Sequence, residues 1–273
     1  MFGGLTRTFK FMGEVLGMVK GNPRLLAPVA INLAIGVPVN IVVAVIYGFL
    51  SDSMGILASI FLAFGLILLY FIDYFCNGLA CSLIYDQVTT GDAQLGPATK
   101  RTVKAIPGIM VFATVSGILD LLTSYAQERN DILGRILLGI IRSIWTTATY
   151  VVMPSMVIEG LGFFPAFKRS KDLMMNDPTQ VGVGYIGIGF ITSVLGFVTI
   201  GAAYFLSNLV SGLSTILAGL VFFTMVNIYW AVSGYLRITY YTCFYLWASQ
   251  CVTAGRPDQS LAPAPLRNAM ANG

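Results

Sequence analysis

From Leu25 to Leu50 the chain runs 26 residues without a charged side chain, and comparable apolar runs recur as far as Val252. An α-helix needs about 20 such residues to cross roughly 30 Å of hydrocarbon, whereas strands of a membrane barrel are about 10 residues of alternating polarity. Charged residues make up 10% of the 273 and hydrophobic ones 56%, against about 25% charged in a soluble domain. The expected class is an all-α integral membrane protein. Six transmembrane helices are expected, at about 25–50, 54–85, 106–124, 132–158, 181–206 and 213–234.

A short motif punctuates these runs. VxxG followed by PAxxR reads Val88, Gly91, Pro97, Ala98 and Arg101, then Val157, Gly160, Pro165, Ala166 and Arg169. A longer-spaced copy reads Val252, Gly255, Pro263, Ala264 and Arg267. The recurrence predicts three repeat-like units, about 1–90, 91–160 and 161–255, within one transmembrane domain. Each unit is a hairpin of two spans preceded by a basic amphipathic helix. Residues 256–273, with Pro257, Pro263 and Pro265, read as a loosely ordered tail.

In the first amphipathic helix Phe2, Leu5, Phe9, Met12, Leu16 and Val19 form the apolar stripe, with Arg7, Lys10, Glu14 and Lys20 off it. It reads as an interfacial helix on anionic headgroups, or else as one packed on the bundle. It is too polar for the core of a signal peptide, and no processing is expected. Asn22 and Pro23 end it, and Pro28 and Pro38 predict a kink or break within the first span. The second span exceeds the hydrocarbon core and must protrude or tilt. Gly182, Gly184, Gly187, Gly189, Gly196 and Gly201 predict close helix packing in the fifth. The last apolar tract reads as a span to about Gly234 and an extension bearing Arg237. Tyr235, Tyr240, Tyr241, Phe244, Tyr245 and Trp247 are read there as an interfacial aromatic belt. Lys10, Lys20, Lys100, Lys104, Lys168 and Lys171 all fall on one side of a six-span topology, opposite Arg129 in the 127–131 loop. Both termini are therefore expected in the cytoplasm.

Histidine is absent, which excludes imidazole ligation of haem and histidine proton relays. Cys76, Cys81, Cys243 and Cys251 lack CxxC spacing and read as small core side chains. No metal cluster, phosphate-binding loop or catalytic set is present, so neither a cofactor nor an enzyme activity is expected. The net charge of +4 is distributed as a membrane surface requires and does not indicate nucleic acid.

Ionisable side chains inside spans are functional candidates, being expensive in lipid unless paired or hydrated. Counting along the helices predicts an Asp120–Arg135 ion pair between spans three and four. Asp73 and Arg237 are expected to pair between spans two and six. Arg142 lies deeper, without an acidic residue at matching depth, and either bonds helix-end carbonyls or a neighbouring subunit, or binds an anion or a lipid phosphate. Lys100, Arg101, Lys168, Arg169 and Lys171 are candidates for headgroup binding. Glu159, Gly160 and Pro165 form a structural motif in which Glu159 is expected to pin the following basic helix to its own hairpin.

The stretch VIEGLGFFPAFKRSKDLM resembles the EGxxxxxAxxRS segment of a group of uncharacterised bacterial polytopic membrane proteins, and the likeness extends over most of the chain. A more distant similarity, in Gly21–Gly36 and in the order of basic helix, span and VTTG loop, is to the CysZ sulfate permease group. It implies a bacterial inner-membrane protein, anion permeation and homo-oligomerisation, without carrying over any permease binding residue. Two readings result. One is a non-enzymatic scaffold whose basic helices grip anionic phospholipids and whose spans form a homo-oligomer. The other is a channel or transporter for a small anion or lipid phosphate that uses Arg142.

Overall fold

The computed structural model describes residues 2–51, 55–128, 132–176, 178–256 and 258–271. Within these, the side chains of 2–5, 127, 128, 146–151, 174–176, 178–188, 191 and 271 are left aside. The described residues are helical, without a strand, in the order α1 (Phe2–Gly21), α2 (Ala27–Ile31), α3 (Val37–Ser51), α4 (Gly55–Thr90), α5 (Leu95–Lys104), α6 (Ile106–Glu128), α7 (Ile132–Val157), α8 (Phe163–Asn176), α9 (Pro178–Ser211), α10 (Thr215–Ala254) and α11 (Ala264–Ala271). Five helical segments among the described residues are long and apolar enough to cross a membrane: Pro23–Ser51, Gly55–Thr90, Ile106–Ala126, Thr192–Ser211 and Thr215–Ala254. The 127–131 loop, with Arg129, lies outside the described side chains.

The first span changes winding instead of breaking. A 3₁₀ turn over Pro23–Leu26 leads into α2, a π turn over Asn32–Gly36 follows, and α3 resumes the α register. Pro38 has no N–H for the carbonyl four residues back, and the helix widens immediately before it. The Asn22 side chain accepts from the Arg24 N–H at 3.3 Å and so caps the 3₁₀ turn.

The three motif glycines end α4, α7 and α10. Gly91, Gly160 and Gly255 have φ of 78°, 69° and 67°, a left-handed conformation that costs other residues about 1–2 kcal/mol. At Gly255 the stop is a Schellman arrangement, with the Arg256 N–H on the Cys251 carbonyl and the Gly255 N–H on that of Val252. Beyond Gly91 and Gly160 the chain turns into α5 and α8, and beyond Gly255 it reaches α11.

Burial divides the long helices into two halves. From Tyr74 to Ile84 every α4 residue except Phe75 is buried, and from Ser233 to Trp247 every α10 residue except Arg237. Earlier in the same helices Ile56, Ile60 and Phe64, and Ile216, Leu220 and Trp230, are exposed. The core is confined to the first of these regions, where α1, α5, α8 and α11 wrap α4, α7 and α10. All six lysines lie in α1, α5 and α8, around that wrapped end. In the other half the helices meet more sparsely, through close approaches such as Gly117 on Ile67, where an added Cβ would lie 2.9 Å from Ile67 Cγ1.

Several expectations change. The α10 aromatic residues from Tyr235 to Trp247 are core and not a belt, because the wrapping helices enclose them: Tyr240 meets Phe11 edge-on at 5.4 Å between ring centroids. The tail is folded, because its apolar face has a partner. Ala262, Leu266 and Ala269 are buried, α11 packs on α1, and the Trp247 indole donates to the Asp258 carbonyl at 2.8 Å. In α1 the docked face is Thr8, Phe11 and Val15, a quarter turn from the stripe read in the sequence, and Phe9 and Leu16 stay 60% and 57% exposed. Of the α9 glycines, Gly196 packs on Tyr229 while Gly189 and Gly201 face open space. Gly182, Gly184 and Gly187 fall outside the described surroundings.

Candidate functional site

Where the exposed and wrapped halves meet, the helices enclose a cavity of about 230 Å³. Four of the intramembrane ionisable candidates line it together: Asp73 from α4, Asp120 from α6, Arg142 from α7 and Arg237 from α10. Asp73 lies 17 residues before the end of α4 and Arg237 17 residues before the end of α10, each about 25 Å along its helix at 1.5 Å per residue. The two long helices thus deliver an acid and a base to one level.

The pairings differ from those predicted. Asp120 pairs with Arg142, Nη2 to Oδ1 at 2.7 Å, in place of Arg135. Asp120 also accepts from the Tyr70 hydroxyl. The reason is length, because α6 continues to Glu128. Asp120 therefore sits eight residues below the end of α6, level with Arg142, which is ten residues into α7, whereas Arg135 is only three residues in. Asp73 and Arg237 share the cavity but satisfy themselves elsewhere. Asp73 accepts from the side-chain amides of Asn32 and Asn77, both at 3.1 Å. Arg237 donates through Nη2 to the Thr192 hydroxyl at 3.0 Å, and its buried Nε has no partner.

Neutral polar groups complete the lining. Ser116 binds both the Tyr74 hydroxyl at 2.7 Å and the Trp145 indole N–H at 2.8 Å. Tyr70 and Tyr74 stack with centroids 5.8 Å apart. Trp230, on the rim, is 63% exposed, and the Arg142 side chain 45%. The cavity accordingly opens sideways, on the apolar flank of the bundle. One signal for these partners stood in the sequence: Tyr70, Asp73, Tyr74 and Asn77 fall at i, i+3, i+4 and i+7, a single polar face on an otherwise apolar helix. Ser116, Trp145 and Thr192 gave no comparable pattern.

The basic helices are held by their arginines. Arg101 donates from Nε to the Ser82 hydroxyl at 2.8 Å, pairs with Asp86 and lies over the Tyr85 ring at 5.5 Å. Arg169 reaches Glu159 at 3.6 Å, and the same carboxylate accepts from the Tyr245 hydroxyl. Glu159 thereby ties α8 to both α7 and α10. These two guanidiniums are committed within the protein, which leaves Lys100, Lys104, Lys168 and Lys171 as the exposed cations of α5 and α8. Pro165 lies in the first turn of α8, where its missing N–H is not required.

No curated protein and no solved structure matches this chain. A family of unknown function, DUF6159, matches it over residues 54–256, the stretch that holds α4 to α10, all three positive-φ glycines and the four charged residues of the cavity, and the chain belongs to that family.

Proposed function

We propose that this is a non-enzymatic integral membrane protein that binds the phosphate of a lipid, or a small anion of the same chemistry, in the cavity beside Arg142 and Arg237. In this reading α3, α4, α6, α7, α9 and α10 form three hairpins in the bacterial inner membrane, with both termini and the lysine-bearing helices in the cytoplasm. One observation carries it: two guanidiniums line a cavity whose rim, at Arg142 and Trp230, is exposed where the exposed apolar halves stop. From Gly55 to Asp73, α4 spans 19 residues, about 28 Å, close to the hydrocarbon thickness. Measured along α4, the cavity then falls at the level of the inner headgroups, where phosphate and indole rings belong. The α6–α7 hairpin, which extends only eight to ten residues or about 12–15 Å beyond it, enters the membrane from that side without crossing it.

The test is phosphorus per chain after exchange of the purified protein into lipid-free detergent. Retained phospholipid is expected in the native chain, with a several-fold loss in Arg237→Gln. Equal phosphorus in both overturns the reading. Moving the group across the membrane is the natural extension, checked by flux into vesicles.

A second reading, a lipid-gripping scaffold that assembles with copies of itself, is favoured by α8, where exposed Phe164 and Phe167 flank Lys168 and Lys171. Replacing the α5 and α8 lysines with glutamine should then lower co-purified anionic lipid and leave the cavity-bound lipid in place.

A further inference from the structure

The charge of the cavity balances. Asp73 and Asp120 face Arg142 and Arg237, so the formal sum of the lining is zero. A free monoanion entering such a site meets the carboxylates as well as the guanidiniums. A ligand that carries its own cation beside its anion pairs with both. We propose that the cavity is the headgroup site for a phospholipid bearing a phosphate and a primary ammonium, the chemistry of phosphatidylethanolamine. This rests on the phosphate-binding reading above and adds the second half of the headgroup.

The two ends have separate partners. Arg237 has a buried Nε without a partner, and its Nη2 engages only the neutral Thr192 hydroxyl. That leaves the guanidinium available for phosphate oxygens. Each oxygen of Asp73 accepts one amide N–H, and a carboxylate oxygen has a second lone pair to offer. An ammonium donates three hydrogen bonds, which Asp73, Asp120 and the Ser116 hydroxyl on the same wall accept. A quaternary ammonium donates none and would leave those remaining lone pairs unused. The stacked Tyr70 and Tyr74 rings add a face that favours a cation. The source is the bilayer and not water, because the rim is the exposed Trp230 and Arg142 on the apolar flank.

The experiment uses the full chain in nanodiscs of phosphatidylglycerol doped with equal amounts of phosphatidylethanolamine and phosphatidylcholine, followed by detergent exchange and quantification of the retained lipid. Phosphatidylethanolamine is expected to be enriched about tenfold over phosphatidylcholine, the scale of a charge-assisted hydrogen bond gained or lost. In Asp73→Asn that preference is expected to collapse while phosphorus retention persists. Equal retention of the three lipids, with Arg237→Gln still lowering the total, overturns the ammonium assignment and leaves the phosphate reading standing. Retention indifferent to Arg237→Gln removes both. Displacement of bound lipid by millimolar free phosphoethanolamine would assign the same chemistry to a soluble solute and overturn the lipid source. Headgroup selectivity is read on the native chain, so the inference remains testable if a variant fails to fold.

Discussion

Asp120 on α6 and Arg142 on α7 form an ion pair at 2.7 Å, joining two helices through the wall of the cavity. The arginine end is half exposed and the carboxylate end is not, so removing either partner has unequal consequences. Asp120→Ala strands Arg142 and releases Tyr70, whereas Arg142→Ala leaves Asp120 with the tyrosine. A double-mutant cycle on thermal unfolding in detergent should give a coupling of about 1 kcal/mol for this pair, within the range of partly exposed salt bridges. Asp120 and Arg135 should couple by less than half of that, and a larger value would reinstate the pairing read from the sequence.

Gly91, Gly160 and Gly255 have open space where a Cβ would stand, so their substitution tests conformation alone. Each glycine-to-alanine change should cost about 1–2 kcal/mol, and the asparagine variants less, since asparagine tolerates the left-handed region. Equal losses for alanine and asparagine would point to a contact instead.

Gly117 is the opposite case, because a Cβ there meets both the side chain and the backbone of Ile67. Gly117→Ala should force α4 and α6 apart at a cost of about 1–3 kcal/mol. Pairing it with Ile67→Val should recover only part of the loss, since Ile67 backbone atoms lie within 3.6 Å of the added Cβ. Full recovery would locate the clash in the side chain alone.

Arg101 holds α5 through a fork, Nε on Ser82 and Nη2 on Asp86. Lysine keeps the charge and loses the fork, so Arg101→Lys should destabilise by about 1–2 kcal/mol and speed proteolysis of the 91–105 segment. Unchanged proteolysis would mean that Ala98 and Thr102, both buried, suffice to hold the helix.

The tail should behave as structure. Leu266→Ala removes a buried side chain where α11 packs on α1, and about 2–3 kcal/mol of stability should go with it. A tail without a structural part would show no change in the melting of the full chain.

The class of the protein and the punctuation by glycine were legible because they depend on local chemistry: apolar length sets a span, and VxxG sets a left-handed stop. The four charged residues of the cavity were legible for the same reason, each being costly in an apolar run. Their pairing was not, because the end of α6 at Glu128 is set by polar residues that propensity reads equally well as loop, and four residues of helix move Asp120 a full turn. Nor was the fate of Tyr240 and Trp247. An aromatic side chain is equally suited to lipid, an interface or a core, and α10 is apolar on every side, so only the helices around it decide.

The division of α4 and α10 into an exposed half and a wrapped half means that each helix is stabilised by two solvents. Around Leu83 and Ile238 the neighbours are the amphipathic helices, whose outer faces carry the exposed lysines, and burial there gains the hydrophobic effect. Around Phe64 and Leu220 lipid is as apolar as any protein partner, and only packing holds the helices together. Urea, which acts on surface newly shown to water, therefore has purchase on one end of each helix and little on the other. The wrapped end should melt as a small soluble domain does while the spans remain in place, and a single polypeptide rod would then be half unfolded and half intact.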